Sequence, residues 1–196
     1  MGMITIDFLL KIAVLIALAS VRLYWYNAES EANLRRPPSN TKRTRFRNRF
    51  RIIEIAFYAT LILELFVPIL VFEPNHVTRL MGIALFAYGF KLSVEGRRTL
   101  GVNWHHMIDY QVKEKQALVT EGIYKHVRHP IYAGALLMLT AVQIILHSWL
   151  WIFVFGGILP FIYLQSKKEE SVLARHFGKE YLKYLQSSKM FVPYIF

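Results

Sequence analysis

The chain contains no cysteine. That absence excludes disulfides, thiolate nucleophiles and cysteine-based metal sites, and it leaves the redox compartment open. Acidic side chains are scarce, with 13 Asp and Glu against 24 Lys and Arg and a net charge of +11. No Gly-x-Gly-x-x-Gly or Walker stretch occurs, which removes the usual dinucleotide and phosphate cradles. Repeats and low-complexity tracts are missing as well. Charge itself is absent from residues 131 to 164, 34 consecutive positions.

A single helix over that run would extend about 50 Å, well beyond a hydrocarbon core of roughly 30 Å. The run must fold back. Gln143, His147 and Ser148 near its middle are the polar place for the turn, which leaves two helices of about 16 residues, each slightly short for a span. Joined to the basic charge, a content of 55% hydrophobic and 15% aromatic residues suits a multi-pass membrane protein with basic loops better than a soluble domain. Spans are predicted over 4–26, 52–72, 77–98, 131–146 and 149–164. The first could be a signal peptide, since Ala17-Leu18-Ala19 resembles a cleavage site. Nothing before Asp7 is basic, however, and the segment runs on through Tyr24-Trp25-Tyr26, an aromatic anchor, so a retained span is expected. Its residues Ala13, Ala17 and Ser20 form a small-residue face suited to helix packing. The expected fold is an all-α polytopic bundle of about five transmembrane helices forming one domain over residues 1–196.

Of the 24 basic residues, 20 lie in three segments: eight within 27–51, six within 95–130 and six after Leu164. Five spans put all three on one side, and the positive-inside rule makes that side cytoplasmic, with the N-terminus outside. The densest stretch, 42–51, abuts a span and reads as a contact for anionic lipid headgroups rather than nucleic acid. Glu64 lies inside the second span, where a carboxylate is costly unless paired, and Lys91 is its candidate partner.

Chemistry-capable groups gather where the charge-free run begins: Tyr124, Arg128, His129, Pro130 and Tyr132, between Gly122 and Gly134. Each has a plain explanation, because Pro suits the first turn of a helix, Arg snorkels and Tyr joins aromatic belts. Together they offer donors, ring faces and room for close backbone approach. Glu169 and Glu170 leave the same hairpin on the same side, so topology lets them meet Arg128 and His129. Beyond them Leu173 and Phe177 make an apolar stripe, Gly178 suits a C-cap, and Glu180-Tyr181 opens a second amphipathic turn. Adjacent histidines such as His105 and His106 point apart on most backbones, and no metal site is expected.

Leu118-Val119-Thr120-Glu121-Gly122-Ile123-Tyr124, then Arg128-His129-Pro130-Ile131-Tyr132-Ala133-Gly134, then Glu169-Glu170 with Phe177-Gly178-Lys179-Glu180-Tyr181 and Tyr184, resemble in order and spacing the isoprenylcysteine carboxyl methyltransferase family and its phospholipid methyltransferase relatives. The likeness covers the last half of the chain; the first half is similar only as hydrophobic spans. It implies S-adenosylmethionine, with S-adenosylhomocysteine as product, in a cytoplasmic pocket built from 103–132 and 165–196 and roofed by the C-terminal segment. It also implies an isoprenylcysteine-like lipidated substrate entering from the bilayer.

By motif position the resemblance places cofactor contacts at Asp109, Gln116, Ala117, Leu118, Val119, Tyr124, His129, Pro130, Ile131, Tyr132 and Glu169. A carboxylate acceptor is already anionic near pH 7 and needs a cation rather than a base, a role for Arg128 or Lys167. Glu169 or Glu170 would accept hydrogen bonds from the cofactor's ribose or ammonium group, which makes Arg128 and Glu169 the catalytic candidates. Two positions depart from the family: Asp109 stands where the eukaryotic enzymes carry Gln, and Gln165 where they carry a substrate-side Arg. Gln165 and Lys167 are therefore the substrate-side candidates. A phospholipid or lipid-amine N-methyltransferase is the alternative, and its acceptor would first lose a proton to His129 or a Glu. A membrane reductase and a non-enzymatic scaffold are further alternatives, although a nicotinamide cofactor would want more Arg near the tail than Arg175 supplies.

Overall fold

The computed structural model describes residues 2–33, 57–64, 70–73, 75–104 and 116–192, with single positions at 52, 55 and 67. Asp109, His105, His106 and the basic stretch 42–51 lie outside these residues. The chain divides into two compact units, Met1–Val71 and Phe72–Phe196.

The first unit holds α1 (Gly2–Asn33) and α2 (57–64). Within α1 the stretch Phe8–Ala28 is long and apolar enough to cross a membrane. Its buried positions are Val14, Leu18 and Ala28, one step round the helix from the face of Ala13, Ala17 and Ser20. α2 stops short of the expected 72: Val67 still donates its N–H to the Leu63 carbonyl at 2.8 Å, but Leu70 has φ 49°. Pro68 explains the break, because the residue before a proline is pushed out of the helical region. Glu64 is buried, and its backbone carbonyl accepts from Lys11 Nζ of α1 at 3.4 Å. Lys91, the partner expected for Glu64, has a side chain 67% exposed and pairs with Glu95 at 3.8 Å, one turn along its own helix.

The second unit runs α3 (His76–Leu100), 3-10 turns at Gly101–Asn103 and Gly122–Lys125, α4 (Pro130–Ile145), α5 (Leu150–Phe177) and α6 (Lys179–Ser187). Asn75 caps α3 by accepting from the Val77 N–H at 2.7 Å. α3 and α4 pack antiparallel at glycine distance. Gly82, Gly89 and Gly96 recur every seven residues and so share one face of α3. Side chains there would strike Ile145 at 2.7 Å, the Gly134 carbonyl at 2.7 Å and Ile131 at 2.9 Å respectively. A Cβ on Gly134 would in turn collide with the Gly89 carbonyl and the Ser93 hydroxyl.

The charge-free run reverses at residues 146–149. His147 supplies the reversal with φ 54°, and its Nε2 accepts from the Asn75 N–H at 3.1 Å, tying the turn to the start of α3. Phe72 donates its N–H to the His147 carbonyl at 2.8 Å and sets its ring edge-on to the imidazole at 5.2 Å. α5 does not end with the apolar stretch at Leu164; it continues without a break to Phe177.

Gly134→Ala places a methyl group against backbone that cannot yield, and a loss of about 1–3 kcal/mol is expected in detergent-solubilised thermal unfolding. Gly156→Ala is the control. Its added Cβ meets nothing within 4 Å, and a helical Gly→Ala change is expected to stabilise by about 0.5–1 kcal/mol.

Candidate active site

Pro130 opens α4 at its first position, where a missing N–H costs nothing, and the His129 carbonyl accepts from the Ala133 N–H at 3.0 Å. The residues just before it pair with the C-terminal segment. Arg128 donates its N–H to the Lys189 carbonyl at 2.8 Å, His129 to Met190 at 3.0 Å, and Lys189 to His126 at 3.0 Å, around a parallel bridge between Val127 and Lys189. α5 brings Glu169 and Glu170, both buried, to the same place. Gly178, at φ 54°, turns the chain into α6, as its sequence position led one to expect. Tyr181 and Tyr184 of α6 are buried, and the Tyr184 hydroxyl donates to the Tyr124 carbonyl at 2.6 Å. Burial pushes the Tyr184 phenol up to about 12, against the opposing hydrogen bond with Ser188, so it remains a donor at ordinary pH.

The carboxylates divide their partners. Arg128 Nε donates to Glu170 Oε1 at 2.7 Å, while its Nη1 donates to the Ser188 carbonyl and lies 3.5 Å from both the Leu185 carbonyl and Ser188 Oγ. Lys167 Nζ lies 3.5 Å from Glu170 Oε2 and 5.7 Å over the Tyr163 ring, with its side chain 51% exposed. Glu169 Oε1 accepts from the Tyr132 hydroxyl and from Gln165 Nε2 at 3.2 Å. His129 stands between the two acids, with Nδ1 3.7 Å from Glu169 Oε2 and Nε2 3.4 Å from Glu170 Oε1. Its ring stacks parallel on Tyr132 at 5.6 Å and tilts against Phe191 at 6.0 Å.

Of the residues expected at a site, Arg128, His129, Tyr132, Gln165, Lys167 and Glu169 therefore converge, and Glu170 joins them as the acid that Arg128 binds. Tyr124 takes part in this end of the molecule through its backbone carbonyl. Pro130 and Ile131 instead press their side chains on Gly96 of α3, and the Ile131 carbonyl lies 3.4 Å from the Ser93 hydroxyl that donates to it. Gln116, Ala117, Leu118 and Val119 lie in an irregular segment secured to the end of α3 by the Ala117 N–H on Asn103 Oδ1 at 3.2 Å. Ser188, Met190 and Phe191 had no signal in the sequence, because their part is played largely by backbone groups and by burial. The amphipathic turn expected from Glu180-Tyr181 is α6, and the structure adds that Tyr181 and Tyr184, three apart on it, form its buried face.

Comparison with known proteins joins this geometry to a family. A family model described as phospholipid methyltransferase matches residues 77–180, from α3 to the start of α6. Protein-S-isoprenylcysteine O-methyltransferase B of Arabidopsis thaliana is 30% identical over 115 residues, 58% of this chain and 58% of that protein. The Dictyostelium discoideum protein-S-isoprenylcysteine O-methyltransferase is 34% identical over 96 residues, 48% of this chain and 40% of that one. A solved structure of a eukaryotic intramembrane Ras methyltransferase, isoprenylcysteine carboxyl methyltransferase, superposes with a TM-score of 0.62 at 27% identity, covering 76% of this chain and 53% of that one. The chain thus spans roughly half the length of these relatives. With its long apolar helices it is a polytopic, all-α integral membrane protein. It belongs to the phospholipid methyltransferase family, and within that family it is similar to the isoprenylcysteine carboxyl methyltransferases.

Proposed function

We propose that the chain is a single-domain, S-adenosylmethionine-dependent membrane methyltransferase that esterifies the free carboxylate of an isoprenylcysteine-like lipidated substrate. The observation that carries this reading is the convergence of Arg128, Tyr132 and Gln165, all partly buried, on the buried His129, Glu169 and Glu170 where an apolar hairpin ends. The donor set suits the cofactor. Glu169 and Glu170 are acceptors for an ammonium group and ribose hydroxyls, Tyr132 and His129 offer ring faces, and His129 Nε2 is buried without a hydrogen-bond partner among the described residues. When bound, S-adenosylmethionine supplies a methyl group on a sulfonium sulfur; the carboxylate oxygen gains the C–O bond while the C–S electron pair returns to sulfur, leaving a methyl ester and a neutral thioether.

The protein's own contribution is orientation and exclusion of water. Segment 188–192, pinned by Arg128 and by the backbone pairs to 126–129, closes one side of the cluster. Because the Arg128 guanidinium is committed to Glu170 and Ser188, the half-exposed ammonium of Lys167 is the better cation for an acceptor carboxylate. The distribution of basic residues supports an outside N-terminus with the C-terminus and site in the cytoplasm. The phospholipid description of the matching family favours one second reading, N-methylation of a lipid amine, with His129 between two acids as the group that takes the amine proton. Labelled cofactor offered with S-farnesylcysteine, its methyl ester and phosphatidylethanolamine tests the two: transfer to the free acid alone supports the first, and transfer to the phospholipid alone replaces it with the second.

Glu169→Ala and His129→Ala are each expected to weaken S-adenosylhomocysteine binding by about 10- to 150-fold, the loss of a hydrogen bond to a charged group. Titration calorimetry on monodisperse protein checks this, and unchanged affinity in both variants would remove the cofactor assignment. Arg128→Ala strands the buried Glu170 carboxylate, and a loss of about 3–5 kcal/mol in stability is expected, whereas Lys167→Ala is expected to raise the acceptor KM at unchanged melting temperature. Gln186 is exposed on α6, so Gln186→Cys in this cysteine-free chain should resist an impermeant thiol reagent in intact cells and react once they are opened; labelling from outside reverses the orientation. Ser188 is buried and is not a suitable position for that probe.

A further inference from the structure

One buried side chain on α5 has no role in the cluster described above. Ser166 is 0% exposed, and its hydroxyl has no hydrogen-bond partner among the described residues. A helical hydroxyl ordinarily satisfies itself by turning back to the carbonyl four residues earlier. Ser20 does so on the Ile16 carbonyl at 2.8 Å and Thr99 on that of Glu95 at 2.8 Å. Ser166 has the Ile162 carbonyl at the same spacing and leaves it unused.

Its position is fixed by helical spacing. Glu169 and Glu170 follow at i+3 and i+4 and share its face, and Ile162 precedes it at i−4. Ile162 packs in one cluster with Ala133, Leu136 and Phe191, while the two acids meet Arg128, His129 and Tyr132. Ser166 therefore stands opposite the 129–133 turn of α4, about 4.5–6 Å nearer to the charge-free stretch than the acids are. A ligand whose lipid lies in the bilayer brings its head group in from that side. An incoming carboxylate would be repelled by Glu169 and Glu170 and needs a nearby donor that is not already engaged. An incoming ammonium would be drawn to the acids directly and needs no such help.

We propose that Ser166 is a specificity-determining residue, whose hydroxyl donates a hydrogen bond to the free carboxylate of the lipidated methyl acceptor. The inference rests on the reading of the site as a carboxyl methyltransferase, and it names the residue that selects an acid over an ester or an amine. Ser166 works with the half-exposed Lys167: the ammonium draws the anion to the mouth of the site, and the buried hydroxyl fixes one oxygen inside.

The test uses the full chain in detergent, without methyl donor, and measures binding of S-farnesylcysteine and of its methyl ester by calorimetry. Wild-type protein is expected to prefer the acid. Ser166→Ala is expected to weaken acid binding about tenfold, as for loss of a hydrogen bond to a charged group, with ester and S-adenosylhomocysteine affinities within about twofold of wild type. Ser166→Thr, which keeps the hydroxyl, is expected to restore acid binding, and Ser166→Cys, a weak donor, serves as a second loss variant if Ala does not fold. Thr140 provides the control. Its hydroxyl is also buried and unpartnered among the described residues, but it lies about 16 Å along α4 from His129, so Thr140→Val is expected to change none of the three affinities. Unchanged acid binding in Ser166→Ala overturns the proposal, as does an equal loss for the ester, which would be a packing effect, or a loss confined to S-adenosylhomocysteine. Wild-type protein that binds neither acid nor ester, while binding S-adenosylhomocysteine, brings down the carboxyl-acceptor reading and this inference with it.

Discussion

Two carboxylates on consecutive positions of one helix, buried just beyond an apolar stretch, cannot stand uncompensated. Removing an ionised group from water costs more than packing returns unless charge and hydrogen bonds replace the solvent. Around Glu169 and Glu170 the replacement comes from three places in the chain: Arg128 and His129 before α4, Tyr132 in its first turn, and Gln165 and Lys167 on α5 itself. This requirement fixes how the hairpin ends meet, and most of the surrounding structure follows from it.

Arg128 shows how far that reaches. One edge of its guanidinium neutralises Glu170 and another binds the Ser188 carbonyl, so the same cation that compensates the acid also holds the last described segment. α6 is then short because it has only to carry the chain back from Gly178 to Ser188, with Tyr181 and Tyr184 turned inward and Ser188 closing on the Tyr184 carbonyl at 2.6 Å. At the opposite end of the hairpin His147 performs a comparable service, its ring nitrogen binding the Asn75 N–H. Each end of the α4–α5 pair is thus tied to a different part of the chain by one buried side chain.

The sequence revealed those features that follow from length and charge. A run of 34 residues without charge had to reverse, and its polar middle lies at the reversal. Arg128 and the acids had to leave the hairpin on one side, and they do meet. What stayed hidden depends on backbone or on long-range packing. The parallel pairing of 126–129 with 188–190 uses N–H and carbonyl groups that every residue carries, so no pattern announces it. Pro130 and Ile131 sit in a motif beside His129 and Tyr132, yet helical rotation turns them toward Gly96. Gly82, Gly89 and Gly96 fall seven residues apart, but glycines in a membrane helix have so many uses that this spacing and their facing partner, Gly134, become evident only once the two helices are side by side. Ser166 was silent for the opposite reason: one serine among apolar neighbours looks like a self-satisfied helical hydroxyl.

The unbroken course of α5 has a mechanical side. From Leu150 to Glu170 the helix runs about 30 Å, with Pro160 in its interior, so a tilt of about 10° imposed by a thicker or thinner membrane would sweep its charged end through roughly 5 Å if the helix moved as one body and were free to pivot at His147. Arg128 resists that sweep, because it grips Glu170 while its own backbone is held by Lys189. A change in bilayer thickness would thereby load one guanidinium–carboxylate contact. The composition of the surrounding lipid would then reach the geometry of the buried acid cluster as a force rather than as a ligand.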